Sequence, residues 1–264
     1  MPIQGIDIAE CNLCKECIKE CPKSNFSINS TKTQILFDNA KGCLLCGHCI
    51  AVCPKGAIIY ENMKDSTFEF EEHYNSISYD ALYRVMRSKR SIRQFKNKKV
   101  TIELIEKVID CMRYAPTSMN KRTLKCLLIS DDKKIQEIID LVIKGLDLDE
   151  GKEEYKKKRD NGIDPFFYNA PHILILHSDN EWDSKNAPIS ITYAMLCAET
   201  LGLGSCWIGG IQIFLSEHKE IQKKILGNDN NIYGIIIIGY PAVKYFRGPP
   251  RPPIETKIIS NSSN

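Results

Sequence analysis

Eight cysteines fall within the first 54 residues, and their spacing dictates a chemistry. Cys11–Pro22 reads C-N-L-C-K-E-C-I-K-E-C-P, and Cys43–Pro54 reads C-L-L-C-G-H-C-I-A-V-C-P. Both runs are C-x2-C-x2-C-x3-C-P, offset by 32 residues, so Cys11, Cys14, Cys17 and Cys21 correspond to Cys43, Cys46, Cys49 and Cys53. Each iron of a four-iron cube needs a thiolate. Three cysteines on one tight loop reach three corners, and the fourth starts the next segment and ligates the other cube. The spacing therefore predicts two 4Fe–4S clusters, one on Cys11, Cys14, Cys17 and Cys53, the other on Cys43, Cys46, Cys49 and Cys21. Pro22 and Pro54 turn the chain after the last ligand. Zinc ribbons also use C-x2-C pairs, but four ligands per ion leave the third cysteine of each run without a role. A disulfide framework belongs to oxidising compartments. The N-terminus, M-P-I-Q-G-I-D, lacks the basic-then-apolar order of a secretion signal, so a reducing cytoplasm is the expected location.

This stretch resembles the bacterial two-cluster ferredoxin domain over residues 1–60, with Ser24–Phe37 as an extra loop or hairpin. Residues 61–78 are acidic and polar and read as a linker. Residues 79–264 form the second domain. The other four cysteines, Cys111, Cys126, Cys197 and Cys206, have no ligand spacing and are expected as buried small hydrophobes.

The second chemistry-bearing stretch is R-S-K-R-S-I-R-Q-F at Arg87–Phe95, where four cations and two serines within seven residues suit an anion. A-P-T-S-M-N at Ala115–Asn120 is a turn: Pro116 cannot continue a helix, and Thr117, Ser118 and Asn120 offer polar side chains. L-G-L-G-S-C-W-I-G-G at Leu201–Gly210 offers Gly202 and Gly204 as helix stops, and Gly209 and Gly210 as points of close backbone approach.

Helices and strands must carry these pieces. Leu82, Val85 and Met86 predict a short amphipathic helix ending near Arg87. Thr101 caps a second, with Ile102, Ile105, Ile109 and Met112 at helical spacing. Thr123–Ser130 is strand-like, and Asp131–Ile143 is helical with Ile135, Ile138, Ile139 and Val142 on one side. Residues 144–170, rich in Lys and Glu before Pro165–Tyr168, read as a lid or as a charged surface helix. His172–His177 and Ile232–Tyr240 are buried strands, Ala187–Leu201 a central helix and Leu215–Leu226 another. Val243–Asn264 holds four prolines and reads as an extended arm.

Three of these motifs in order resemble the FMN-dependent nitroreductase family over residues 79–255. K-R-S-I-R-Q-F (Lys89–Phe95) is similar to its R-R-S-x-R-x-F signature, A-P-T-S-M-N to its A-P-S-x-x-N turn, and G-L-G-S-C-W-I-G-G with I-I-G-Y-P and a basic, proline-rich tail completes the order. The fused whole resembles ferredoxin–nitroreductase proteins of anaerobes. The resemblance implies an α+β fold with a mostly antiparallel sheet flanked by helices, and an intertwined homodimer with FMN at the interface. It implies that Lys89, Arg90 and Ser91 meet the phosphate end of FMN and that Arg93 lies near the pyrimidine edge. It brings Pro116, Thr117, Ser118 and Asn120 to the ring from the partner subunit, and Gly209 and Gly210 to flavin N5. Arg251 and Arg247 return to the phosphate. The chain departs from the family in two places: Lys89 stands where arginine is common, losing the fork, and Asn120–Leu124 reads N-K-R-T-L where the family often has N-x-Q-P-W.

The implied activity is reduction of a small organic acceptor such as a nitro compound, with electrons passing between the clusters and FMN. No side-chain acid or base is required, so no catalytic residue is assigned. An activated alkene or quinone is an alternative acceptor, and a non-catalytic electron carrier or sensor an alternative role. Ferredoxin or NAD(P)H is the expected donor, although no dinucleotide-binding glycine fingerprint is present.

Charge is +3 overall but uneven: residues 1–75 carry −3, and the remainder, with 29 Lys/Arg against 23 Asp/Glu, carries +6. The basic half has no nucleic-acid recognition motif, and a phosphorylated cofactor explains the same surplus. No apolar run approaches the roughly 18 residues of a membrane span.

Overall fold

The computed structural model describes residues 2–62, 66–70, 77–146 and 149–259, with only the backbone of 149–151. Half of the predicted linker, and the last five residues of the predicted arm, lie outside the described residues.

The N-terminal segment is built on the 32-residue repeat. Its short helices, α1 (Glu16–Glu20) and α2 (His48–Val52), each start after a left-handed residue, Lys15 (φ +67°) and Gly47 (φ +75°). Leu13 and Leu45 (φ +60° and +55°) and Ser24 and Gly56 (φ +52° and +61°) repeat the same bends. A left-handed residue other than glycine costs roughly 1–2 kcal/mol, so Leu13, Lys15, Ser24 and Leu45 are bends that local propensity does not favour. Strands β1 (Ile3–Ile6) and β4 (Ile58–Tyr60) pair antiparallel, as do β2 (Phe26–Ile28) and β3 (Ile35–Phe37). The second pair is the predicted hairpin. Phe26, Ile35 and Ile58 pack with Cys17 and Cys49 into a small core.

The second domain is a four-stranded, wholly antiparallel sheet. Its order is β5 (Lys125–Ile129), β6 (His172–Ser178), β8 (Asn231–Gly239), β7 (Gly204–Trp207). The α+β class and antiparallel order are as the resemblance implied. Both faces are covered, which is why β6 and β8 are apolar without alternation. Ile173, Ile175, Ile235 and Ile237 face one core with α5 (Asp132–Gly145), α8 (Gly209–Glu217) and α9 (Lys219–Leu226). Leu174, Leu176, Ile236 and Ile238 face the other, with α4 (Ile102–Met112) and α7 (Asp183–Thr200). Each such side chain, taken wholly from water, contributes about 1.5–3 kcal/mol.

Several element expectations need correction. The buried stripe of α4 is Ile105 and Val108, whereas Ile102 is exposed. The central helix starts four residues earlier than predicted, because Asp183 and Asn186 satisfy polar groups inside its first turn, and Pro188 is absorbed in the second. Gly204 does not stop that helix. It opens β7, and a Cβ there would meet Ile92 at 2.8 Å; Gly202, left-handed at φ +72°, makes the stop. The predicted Leu215–Leu226 helix is two helices, α8 and α9, broken at His218 (φ −109°, ψ 70°). The imidazole stacks on Phe214, 4.0 Å between centroids, and its Nδ1 lies 2.8 Å from the Phe214 carbonyl. Of the four scattered cysteines only Cys206 is buried; Cys111, Cys126 and Cys197 are half-buried.

The predicted lid contains a charged helix, α6 (Asp149–Asp160), followed by a turn whose backbone Asp164 organises by accepting from Phe166, Phe167 and Asn169. Tyr155 of α6 packs on Phe166 (5.0 Å), so the segment is anchored to the core below it.

Candidate functional site

The thiols gather crosswise. Cys17 is pushed up to about 11 by burial and then by the negative charges of Cys14, Cys11 and Cys53. Cys49 is pushed up to about 12 by burial and by Cys46, Cys43 and Cys21. These are the two ligand sets that the spacing predicts, with the fourth member supplied by the opposite run. Cys11, Cys14, Cys17 and Cys53 also line one cavity with Ile6, Ile35 and Ile58. Four thiolates facing a partly buried space repel one another, and bound iron relieves that repulsion while displacing the protons. Among the described residues no three His, Cys, Asp or Glu side chains converge on a single-ion position. A cube asks for no such convergence, since each thiolate takes a separate corner. Backbone N–H groups of Asn25 and Ala57, also 32 residues apart, point at Cys21 Sγ (3.4 Å) and Cys53 Sγ (3.3 Å).

In the second domain the predicted residues fall into three cavities. Arg93, Gly209 and Gly210 line one of them, walled by Tyr155, Tyr168, Trp207 and Phe214. Nothing lies within 4 Å of where a Cβ would stand on Gly209 or Gly210, so their backbone borders open space at the start of α8, where N–H groups lack helical partners. Arg93 sits 5.8 Å from the Tyr168 ring. Arg90 and Arg251 share a second cavity with Arg84 and Arg87 of α3 (Tyr79–Ser88) and with Gly248 of the arm. That is a four-guanidinium site. Arg84 was legible only as a cation three residues before Arg87 on a helix. Arg247 is exposed and lines none of the three.

Lys89 turns inward. Its Nζ donates to the carbonyls of Arg90 and, at 3.1 Å, Ser205, and burial holds its pKa below the usual lysine value against the opposing pull of Glu199. Ser91 forms a single parallel bridge to Ser205, which joins the motif to β7.

Thr117 lines the third cavity, with Arg113, Arg122, Cys126 and Ser190. The Ala115–Asn120 turn is held from below by a polar network that the sequence reading did not find. Buried Asp183 accepts from Thr123 Oγ1 (2.7 Å) and Asn186 Nδ2 (2.8 Å), and Asn186 Oδ1 accepts from the Ser118 N–H (3.2 Å). The available signal was a carboxylate and an amide at i, i+3, Asp183 and Asn186, just before the predicted helix. Arg122 clamps the turn through the Arg113 and Ala115 carbonyls and donates to Asn120 Oδ1 at 2.7 Å. Two buried hydroxyls in these motifs, Thr117 Oγ1 and Ser205 Oγ, have no partner among the described residues. Buried polar groups are ordinarily satisfied, so a polar ligand bordering these motifs fits them. None of the three cavities is lined by both Thr117 and Gly209.

Among the described residues no helix is long and apolar enough to cross a membrane. Residues 86–240 match the nitroreductase family, and residues 10–58 match the 4Fe-4S dicluster domain. A curated relative, the iodotyrosine deiodinase of Thermotoga neapolitana, is 24% identical over 169 residues, 61% of this chain and 88% of that protein. A nitroreductase with bound FMN from Bacteroides fragilis superposes with a TM-score of 0.57 at 18% identity, covering 68% of this chain and 98% of that one. Another nitroreductase with bound FMN, from Desulfitobacterium hafniense, gives 0.56 at 20% identity over 67% and 98%.

Proposed function

The chain belongs to the nitroreductase family, and from that premise we propose that it is an FMN-dependent oxidoreductase fed through two 4Fe–4S clusters carried on the same chain. The observation that carries the reading is the crosswise gathering of eight thiols into two sets of four, ahead of a nitroreductase fold. One electron at a time is what such clusters transmit. FMN, when bound, accumulates two and passes them to an organic acceptor.

The residues divide the work. The guanidinium groups of Arg84, Arg87, Arg90 and Arg251 hold the phosphate, with forked donors suited to its oxygens. Arg93 sets a positive charge at one edge of the ring, which favours the reduced, anionic form. The open backbone of Gly209 and Gly210 admits close approach of the ring, and Thr117 and Ser205 offer unpaired hydroxyls at its border. Tyr155, Tyr168, Trp207 and Phe214 supply an aromatic wall that excludes water and receives a flat acceptor. Lys89 secures the motif to β7 through the Ser205 carbonyl.

The site is completed by a second copy of the chain. α3 buries none of its residues within the protomer, leaving Leu82, Tyr83 and Met86 exposed. The arm likewise presents Phe246 and Ile254, 80% and 90% exposed. Apolar surface of that kind marks an interface, and a homodimer brings the Pro116–Asn120 turn of one subunit to the flavin of the other. The domain limits that follow are 1–60, 61–78 and 79–264.

The test is an anaerobic absorbance titration of purified protein with NADH or NADPH, then with a strong chemical reductant. Rapid bleaching of a flavin band by the nicotinamide identifies it as donor. Bleaching of flavin and clusters by the strong reductant alone points to a ferredoxin-type donor. Absence of a flavin band refutes the proposal. An acceptor panel of nitro compounds, quinones, activated alkenes and iodotyrosine then selects the substrate class.

A further inference from the structure

Asn120 makes a contact that the turn itself does not require. Its Nδ2 donates to the carbonyls of Leu45 (2.8 Å) and Leu44 (3.2 Å), 75 and 76 residues earlier. Leu44 and Leu45 are the two residues between cluster ligands Cys43 and Cys46. The amide orientation is fixed by its neighbours: Arg122 can only donate to Oδ1, and the two carbonyls can only accept from Nδ2. Asn120 and Met119 are both left-handed, at φ +53° and +54°. Asp183, Asn186 and Arg122 hold the turn in that unfavourable shape. Through Leu45 the contact continues to the ligand itself, because the Leu45 N–H points at Cys43 Sγ, 3.3 Å away. The repeat supplies an internal control. Asn12 and Leu13 occupy the equivalent place between Cys11 and Cys14, and among the described residues no hydrogen bond joins that loop to the second domain.

We propose that Asn120 latches the Cys43–Cys46 loop to the flavin-binding turn, so that the cluster on Cys43, Cys46, Cys49 and Cys21 exchanges electrons with FMN and the cluster on Cys11, Cys14, Cys17 and Cys53 receives them from outside. The proposal rests on the iron–sulfur and flavin reading above. A second asymmetry points the same way. Asn25 follows ligand Cys21 by four residues, and its buried side-chain amide has no partner among the described residues. The equivalent residue after Cys53 is Ala57, which has no such group. A polar donor beside one cluster favours its reduced, more negative state and raises its potential. Electrons then run downhill toward the latched cluster. A one-electron donor such as reduced ferredoxin is oxidised twice for each flavin reduced by two electrons, and solvent supplies the proton.

The order is tested in the anaerobic holoprotein by photoreducing the flavin with light and EDTA, then following the return of electrons into the clusters. In Cys14→Ala the remaining cluster fills as fast as in wild type; in Cys46→Ala it fills at least about tenfold more slowly. Equal rates in the two variants, or the reverse order, overturn the proposal. Should either variant shed both clusters, Asn120→Asp decides, because it sets a carboxylate oxygen against two carbonyls. Amide exchange over residues 44–46 then rises about tenfold, and unchanged exchange there overturns the latch. A wild-type protein without flavin sinks the functional reading, yet the exchange measurement still reports on the latch.

Discussion

The two halves of this chain are held together by different means. The second domain wraps a four-stranded sheet in two apolar layers, and β6 and β8 bury side chains on both faces. The N-terminal segment has two separate two-stranded sheets, two five-residue helices and a core in which cysteines stand beside Phe26, Ile35 and Ile58. A segment that small buries little apolar surface to offset its chain entropy, and it carries five left-handed non-glycine residues besides, Leu13, Lys15, Ser24, Lys32 and Leu45. Burial, and then the neighbouring thiols, push the Cys17 and Cys49 pKa values upward. One half is stable by burial; a cluster bound across the two cysteine runs would stabilise the other by joining residues far apart in sequence.

The largest effect expected from that contrast is selective melting. Stripping iron with a chelator under anaerobic conditions removes hydrogen-exchange protection from β1–β4, while β5–β8 stay protected. Persistence of the β1–β4 and β2–β3 pairs in the iron-free protein would break the comparison. Next in size is Leu174→Ala on β6, which leaves iron content unchanged and costs about 2–5 kcal/mol of second-domain stability by chemical denaturation.

Acid provides a third probe. His172, buried between the Val100 N–H and Ser130 Oγ, and His177, beside Asn230, are both held below the usual imidazole pKa by desolvation, with Lys99 and Lys125 adding to it. An unfolded imidazole takes up its proton near pH 6.5. Below that pH the unfolded chain binds protons that the fold refuses, so second-domain stability falls as pH drops. His172→Gln flattens that dependence in denaturation midpoints measured from pH 7.5 to 5; an unchanged slope would assign it elsewhere. The smallest effect is Asp131→Ala. Its carboxylate caps α5 at the Lys134 N–H, 2.8 Å away, and its loss lowers stability by about 1 kcal/mol with no change in cluster absorbance.

Local chemistry was readable directly. The paired cysteine runs, the hairpin between Ser24 and Phe37 and the apolar strands at His172 and Ile232 each depend on residues near one another in sequence. So did the first motif, since Arg90 and Arg93 lie within the stretch that spacing singled out. Errors arose where a distant partner decided the outcome. Gly204 looked like a helix stop because its contact with Ile92 is invisible at short range. The start of α7 depends on Thr123, 60 residues before Asp183.

The sequence by itself therefore determined which cysteines are spaced as cluster ligands, which family the second half resembles and which strands are buried, because spacing and apolar pattern act over a few residues. Tertiary structure alone decided that Lys89 faces the Ser205 carbonyl, that Arg84 and Arg251 share a cavity, and that Asn120 meets the Cys43–Cys46 loop. Each of those depends on a hydrogen bond or an approach between segments that only the packed sheet and its helices bring together.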